Sequence, residues 1–257
     1  MAKVVVVRVK EKEPAKPEKK NYLQLILNCV TAIVAVLGIC VSFMSLNIAK
    51  QQNNTQREVA QSDRLTYAVE RLQDDSLAIR MEALNVLEQV GLESPRLQQV
   101  IVRILNRYIR EGIENRALMV SSRVYDGLLR PQEDIFVACD ITSLLYEESG
   151  YRISLQGLDA KELDLSKVCL KGADLWQAKF VDTCLSCAQF QEANFTDADL
   201  KGVDLEFANL VGANLKFVQN LTARQVLLST HDFTTTEFSP GLWIELYELI
   251  SQLEGAK

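Results

Sequence analysis

The chain has 257 residues, of which 48% are hydrophobic and 24% are charged, so it is long enough to bury a core and to hold more than one domain. Its formal net charge is −6, and this mildly acidic balance argues against a nucleic-acid backbone as the main ligand. The charge is unevenly distributed, because the first twenty residues carry seven Lys or Arg against three Glu and two Pro. Residues 1–20 are therefore predicted to form a loosely ordered basic tail.

A run without charge follows this tail. Residues 21–49 contain no Asp, Glu, Lys, Arg or His. About 20 apolar residues suffice to span a bilayer, so the run predicts a transmembrane helix that is tilted or slightly too long, with Tyr22 at one interface. A cleaved signal peptide is the competing interpretation, but its apolar core would be shorter and no A-x-A-like site follows the run. A buried core helix is a third interpretation, which the length of the run disfavours.

The basic residues around this span predict its orientation. Seven of them precede the span, whereas Lys50, Arg57 and Arg64 follow it. The positive-inside rule then predicts a single-pass membrane protein with its N-terminus in the cytoplasm and its soluble domains outside the cytoplasm.

Residues 52–150 are predicted to form a small helical domain. Apolar residues at helical spacing indicate one helix that includes residues 65–72 and a second helix that ends at Gly91. The Ser94-Pro95 pair favours the start of a third helix, because proline is tolerated in the first turn, and Pro131 precedes a fourth. The residues expected to face inward in the fourth helix are Ile135, Ala138, Ile141 and Leu145.

Residues 153–217 repeat with a period of five. Twelve of thirteen consecutive central positions hold Leu or Phe, and Ala160 is the exception. An α-helix would place every fifth residue roughly 140° from the last, and a strand would send successive ones to opposite faces. Each unit must therefore be a short extended side followed by a turn, so that repeated units wind into a coil filled by the Leu or Phe and by a second residue, most often Ala. The central positions are Leu155, Leu165, Leu170, Leu175, Phe180, Leu185, Phe190, Phe195, Leu200, Leu205, Leu210 and Leu215.

Asp or Asn occupies the outward position between the two inward residues in eight of the thirteen units. Both residue types tolerate turn conformations and bond to the neighbouring backbone. Asp199 and Asp204 are therefore interpreted as turn-forming residues, and Gly172, Gly202 and Gly212 as corner residues.

The A(D/N)LXX pattern of residues 193–217 resembles the pentapeptide-repeat family. The resemblance implies a right-handed, four-sided β-helix, in which thirteen units make just over three coils and stand about 15 Å tall. The run 64–111 is similar to the helical segment before the repeats in membrane-anchored bacterial pentapeptide-repeat proteins, especially cyanobacterial ones. The expected fold class is α+β: an N-terminal transmembrane helix, a small α-helical domain, and a short right-handed quadrilateral β-helix with a C-terminal capping helix.

Residues 218–257 are predicted to form a C-terminal cap. The five-residue register fails after Phe217, and Ser239 with Pro240 favours the start of a final amphipathic helix. Trp243 and Tyr247 widen the apolar face of this helix, which is expected to cover the open last coil because solenoid repeats cannot bury their own ends. The resemblance offers an alternative, a homodimer through this helix, since related solenoids often pair through their C-terminal ends.

Residues with catalytic or metal-binding potential are few. The one histidine, His231, lies in a polar stretch, so the sequence offers no two-histidine metal site and no Ser-His arrangement. Cys184 and Cys187 form a C-x-x-C motif and are predicted to point outward on either side of Leu185. A zinc site would need a second pair, and a redox motif would need a βαβ context. We therefore expect no enzymatic activity, bound metal or cofactor.

Five aromatic side chains form the candidate interaction surface. Trp176, Phe207 and Phe217 are predicted to point outward from the solenoid, which needs no apolar group there, and Trp243 and Tyr247 lie on the final helix. Docking against the helical domain is the simplest explanation for the outward aromatic residues, and a protein partner or the membrane is the alternative.

Two functions are compatible with this organisation. The first is a membrane-tethered scaffold that mediates protein–protein interaction with an unknown partner and has no catalytic activity. The second follows from the resemblance to soluble relatives that mimic DNA and bind DNA gyrase. That class should have a long, densely acidic solenoid, whereas these repeats carry ten Asp or Glu and six Lys or Arg and follow a membrane anchor. The sequence therefore favours the scaffold.

Overall fold

The structure of the protein is a computed structural model that describes residues 19–116, 119–121, 127–229 and 235–255. Residues 1–18 of the predicted basic tail, and His231, lie outside the described residues. The chain divides into two compact units, Met1–Val59 and Ala60–Lys257.

The first helix, α1, runs from Lys19 to Arg71 without a break. The apolar run 21–49 and the first helix of the predicted helical domain lie in this one helix, because residues 50–64 contain no Gly or Pro that would end it. The large apolar side chains between Tyr22 and Ile48 are exposed. Within the described residues, α1 is long and apolar enough to cross a membrane by length and composition, criteria that a soluble core helix or a signal sequence also meets.

Three further helices pack together in the second unit: α2 (Leu77–Glu93), α3 (Pro95–Glu114) and α4 (Glu133–Ser149). The four residues predicted to face inward in α4 are buried. Helix α2 continues two residues beyond the predicted end at Gly91, because this glycine is a packing position. A Cβ on Gly91 would lie 2.9 Å from Cδ2 of Leu145.

Residues 154–219 form the solenoid. Parallel bridges join outward residues that are twenty positions apart, from Ser154 with Asp174 to Asp199 with Gln219. One coil therefore contains four five-residue units. All twelve predicted Leu and Phe positions are buried, and Phe195 packs against Phe180 and Phe190 with ring centroids 6.1 and 5.0 Å apart. The period of five is thus the period of the buried interior.

The corners of the solenoid depend on left-handed backbone conformation and on Asx turns. The second residue after each buried Leu or Phe has a positive φ, as at Gly172 and Gly202. The Oδ1 atoms of Asp199 and Asp204 accept hydrogen bonds from the backbone N–H two residues later, at 3.2 and 2.9 Å. The interpretation of these aspartates as turn-forming residues is confirmed.

The helical unit closes the N-terminal end of the solenoid. In later coils, corner carbonyls accept N–H groups from the preceding coil, as Gly157 N donates to Trp176 O at 2.8 Å. The corner carbonyls of the first coil have no preceding coil, and arginines bind three of them instead: Arg110 to Gln156 O, Arg116 to Lys161 O and Arg130 to Ser166 O, at 2.9, 2.7 and 3.4 Å. Two short antiparallel strands, β1 (Val120–Ser121) and β2 (Leu129–Arg130), add a further contact, since Asp164 N donates to Leu129 O at 2.8 Å.

The segment after Phe217 closes the other end. It comprises a one-turn helix α5 (Ala223–Leu227), a strand β4 (Glu237–Phe238) that pairs in parallel with β3 (Asn214–Leu215), and helix α6 (Pro240–Gly255). Gln225, Thr236 and Glu237 donate hydrogen bonds to carbonyls of the last coil. Helix α6 packs against α5, with Leu242 and Leu246 buried beside Ala223 and Val226.

Candidate interaction surface

Trp176 and Phe217 lie at one corner of the solenoid. Phe217 comes twenty residues after Asp197, and Asp197 twenty after Gln177, so the three occupy the same corner of successive coils. Trp176, the residue before Gln177, is 38% exposed, and its indole Nε1 donates to Asp197 Oδ2 at 3.2 Å. Phe217 is 67% exposed. The two aromatic residues therefore share a corner but are two coils apart.

Phe207 lies at a different corner, two units before Phe217. Its ring is 68% exposed, and its backbone N–H donates to Leu228 O at 2.9 Å. The Leu228 side chain is itself half exposed, so this corner carries two neighbouring apolar residues. Sequence reasoning missed Leu228, because the five-residue register had already ended.

Trp243 and Tyr247 lie one turn apart on α6, and both are exposed, as is Ile244. The Trp243 ring stacks on Phe238 with centroids 5.6 Å apart, and Phe238 pairs in register with Leu215, two residues before Phe217. The C-terminal end of the solenoid therefore carries Phe217, Phe238, Trp243 and Tyr247. Trp176 lies two coils before Phe217, and Phe207 lies at a different corner, beside Leu228. No sequence signal identified Phe238, since nothing local predicts its pairing with a strand 23 residues away.

The charge of α6 is negative. The helix contains Glu245, Glu248 and Glu254, all exposed, and no Lys or Arg. The aromatic residues of α6 therefore stand among carboxylates, which favours a partner surface that is apolar at its centre and basic around it.

The two cysteines of the C-x-x-C motif differ in their exposure. Cys184 is buried, with its Sγ 3.3 Å from Ser186 Oγ and 3.8 Å from Asp204 Oδ2, whereas Cys187 is partly exposed at a left-handed corner. Cys184 belongs to the column of outward residues that also contains Asp164 and Asp204, as predicted, but its side chain is buried there. Within the described part of the chain, no group of three or more His, Cys, Asp or Glu side chains is placed to hold a metal ion.

Coils of twenty residues with parallel bridges at every fifth position define a parallel β-solenoid of five-residue units. The family model described as Pentapeptide repeats matches this segment in eight copies, over residues 161–197 and 188–219. Residues 161–219 of the solenoid therefore match the pentapeptide-repeat family, as the sequence pattern predicts.

Several solved structures are similar to part of the chain. A pentapeptide repeat protein from the Arabidopsis thaliana thylakoid lumen is 27% identical over 35% of this chain and 56% of its own, with a TM-score of 0.26. QnrB1, a plasmid-mediated fluoroquinolone resistance protein, is 19% identical over 36% of this chain and 44% of its own, with a TM-score of 0.31. Rfr23 from the cyanobacterium Cyanothece 51142 is 26% identical over 34% of this chain and 61% of its own, with a TM-score of 0.14.

The chain thus spans about half the length of the solved structures that it matches. A comparison with functionally curated proteins gives no match.

Proposed function

We propose that the protein is a membrane-tethered scaffold that binds a protein partner through exposed aromatic side chains and carries out no catalysis. The observation that carries this proposal is the backbone at Phe207 and Phe217, each of which has φ +58° and a ring about two-thirds exposed. A left-handed conformation costs a bulky residue about 1–2 kcal/mol, which Gly or Asn would largely avoid. Since an exposed ring returns little stability to the fold, a binding role explains its presence better.

The partner surface is proposed to include Trp176, Phe207, Phe217, Trp243 and Tyr247, with the C-terminal group as its main part. Aromatic residues supply much of the binding energy in protein interfaces, because they bury large areas with few rotatable bonds. The proposed organisation is a helical domain at 52–150, a right-handed quadrilateral solenoid at 153–217 and a C-terminal cap at 218–257. Residues 21–49 are the proposed membrane anchor, and the partner is a protein rather than a nucleic acid.

The exposure of the apolar side chains of α1 supports the proposed membrane anchor. Its side chains from Leu23 to Ile48 remain exposed all around the helix, as is expected for a lipid-facing span. We place the N-terminus in the cytoplasm and the soluble domains outside. Paired reporters fused after Lys257, one active only in the cytoplasm and one only outside it, test this orientation. A cytoplasmic signal would reverse the proposed topology.

A second candidate is a DNA mimic that binds DNA gyrase or another DNA-handling protein. Its support is the acidic excess of the repeats and the partial likeness to QnrB1, a fluoroquinolone resistance protein. The six lysines among the repeats and the aromatic corners favour the scaffold, because a DNA mimic needs regular negative charge. A third arrangement, a homodimer through α6, would bring the glutamates of two copies together, which opposes pairing.

Site-specific photocrosslinking tests the docking surface. A photoreactive phenylalanine analogue would replace Phe217 or Tyr247 in the full-length, membrane-bound protein, with exposed Lys201 as the matched control position. The scaffold predicts one discrete heteromeric adduct at Phe217 and Tyr247 and none at Lys201. An adduct at twice the mass of the chain would indicate a homodimer, and equal labelling at all three positions would contradict a defined surface.

A further inference from the structure

Small and polar residues form one stripe along the apolar half of α1. Between Tyr22 and Ile48, seven positions spaced alternately by four and three residues hold only Gln, Asn, Thr, Ala, Gly or Ser. Of the other twenty residues in this span, sixteen are large and apolar. The spacing is the heptad repeat through which two helices cross with a left-handed twist. This heptad stripe consists of Gln24, Asn28, Thr31, Ala35, Gly38, Ser42 and Ser45.

The Asn28 carboxamide has no hydrogen-bond partner among the described residues. The hydroxyl groups of the stripe, those of Thr31, Ser42 and Ser45, are satisfied within the helix, since they donate to backbone carbonyls three or four residues earlier at 2.8 to 3.1 Å. Asn28 lies about 10 Å along the helix from Ala35, the middle of the span, and the hydrocarbon half-thickness is about 15 Å. Water does not reach an amide at that depth, so its donors and acceptor require a partner outside the chain.

Gly38 is an independent sign of a neighbouring helix. A Cβ built at this position would meet no atom within 4 Å, so nothing in its own chain requires a glycine there. Glycine inside a helix is less favourable than alanine, and its benefit in a membrane span is that a second backbone can approach closely. Ala35 and Ser42, one turn before and one turn after, widen the same shallow surface.

Complementarity identifies the second helix as another copy of α1. A carboxamide is both donor and acceptor, so the Asn28 side chains of two copies at the same depth satisfy each other. Copies of one single-pass chain cross the bilayer in the same direction, and a two-fold pair brings each stripe residue against its own equivalent. A polar residue at one such position also fixes the register of the pair.

The charges of α1 are compatible with this pairing. Beyond the span, the heptad spacing continues on α1 without a charged residue. The charged residues of this segment, Lys50, Arg57 and Glu58, lie off the stripe. Two copies of α1 therefore meet without like-charge repulsion, whereas two copies of α6 would bring glutamates together. The continued stripe consists of Ala49, Gln52, Gln56 and Val59.

We propose that α1 pairs in parallel with α1 of a second copy through the heptad stripe. Asn28 of each copy bonds to Asn28 of the other, and the two backbones come closest near Gly38. This pairing rests on the proposed membrane anchor, because the Asn28 amide lacks water only inside a bilayer. It leaves the aromatic residues of α6 free, so that one membrane-bound pair presents two copies of the candidate interaction surface.

Disulfide crosslinking of the full-length chain in lipid vesicles tests the pairing. Gln52→Cys places a thiol on the continued stripe, and Gln51→Cys places one a single residue away, off the stripe; both sites are exposed. Copper–phenanthroline with dissolved oxygen takes two electrons and two protons from a facing pair of thiols, which join as a disulfide. We expect a product of twice the mass of the chain from Gln52→Cys. Gln51→Cys should give only the baseline of the unchanged chain, whose Cys29 and Cys40 lie off the stripe.

Two leucine variants test the role of the carboxamide. In the Gln52→Cys chain, Asn28→Leu should slow the initial rate of crosslinking about three- to tenfold at a low protein-to-lipid ratio, because the pair loses its interhelical hydrogen bonds. Asn47→Leu changes the same residue type on the opposite side of the helix and should leave the rate unchanged. Both side chains are exposed, so neither variant removes a packing contact within the chain.

Crosslinking is scored only in chain that stays in the membrane pellet after alkaline extraction, which separates failure of the pair from failure of the anchor. Equal crosslinking at Gln51→Cys and Gln52→Cys in this retained chain, or equal rates for the Asn28 and Asn47 variants, would overturn the pair alone. A crosslinked product of another mass would overturn the second copy in favour of a different membrane protein. Release of the chain from the membrane would overturn the anchor and the pair together.

Discussion

Replacing Gly172 by Ala tests how the helical unit is joined to the solenoid. Gly172 has φ +68°, and a Cβ there would lie 2.4 Å from Cε1 of Tyr146. The Tyr146 ring is held in place, because its hydroxyl donates to Glu192 Oε2 at 2.6 Å and the Arg152 guanidinium lies over the ring at 5.2 Å. The new methyl group must therefore displace a ring that other contacts retain.

Gly157 provides a matched control, since it has φ +66° at another corner and no atom within 4 Å of a built Cβ. At both sites the left-handed conformation costs Ala about 1–2 kcal/mol, partly offset by the lower entropy of its unfolded chain. Displacement of the ring adds about 1–3 kcal/mol at Gly172 alone, as in an overpacked core. We expect Gly157→Ala to lower the free energy of unfolding by about 1 kcal/mol and Gly172→Ala by about 2–4 kcal/mol.

Urea unfolding of the full-length protein in detergent, followed by circular dichroism, measures both losses. The same two glycine variants are then compared in a Tyr146→Ala background, where the difference between them should disappear. Equal losses in the native background would refute the reasoning, and so would a difference that persists without the Tyr146 ring, since the excess at Gly172 would then have another cause.

Three further predictions concern stability. Phe190→Ala should lower the free energy of unfolding by about 3–5 kcal/mol in urea titrations, because the ring is fully buried against Phe195, and a loss below about 1 kcal/mol would contradict the described interior. Phe207→Asn should raise the free energy of unfolding by about 0.5–1 kcal/mol in thermal melts, since Asn tolerates the left-handed conformation of this corner. A decrease would show that the Phe207 ring stabilises the fold. Partial desolvation, with a contribution from Glu133, raises the pKa of Asp140, so its ionised form opposes folding. Asp140→Asn should therefore raise the free energy of unfolding at neutral pH by less than about 1 kcal/mol, and this gain should fade as the pH falls toward about 4. A gain that does not change with pH would show that ionisation of Asp140 is not its cause.

The solenoid was predictable from the sequence because its interior repeats a single environment. The twelve central Leu and Phe residues between Leu155 and Leu215 occupy equivalent buried positions, so twelve independent residues report the same period. The turn-forming role of the Asp and Asn positions was equally predictable, since each turn is local and its hydrogen bond extends only two residues. The membrane anchor and its orientation remain predictions.

The contacts between elements were not predictable. The three arginines that bind the corner carbonyls of the first coil lie 36 to 46 residues from their acceptors, and their sequence neighbourhoods look like ordinary charged helix surface. Gly91 resembled a helix end because its packing partner, Leu145, lies in another helix.

The candidate surface was only partly predictable. The five aromatic residues were identified because they break the polar pattern of an exposed surface, but their division into separate corners depends on the twenty-residue coil. Phe238 and Leu228 were missed, because strand pairing after the end of the register leaves no local sequence signal.

The central claim, that α1 anchors the protein in a membrane, is tested most directly by alkaline extraction of membranes from cells that produce the full-length chain. We predict that the intact chain stays in the membrane pellet, whereas a variant lacking residues 22–48 is released into the supernatant. Release of the intact chain would show that α1 does not span the bilayer. A chain shortened at its N-terminus would show that the apolar run is a cleaved signal sequence, and either result would contradict a membrane-tethered scaffold.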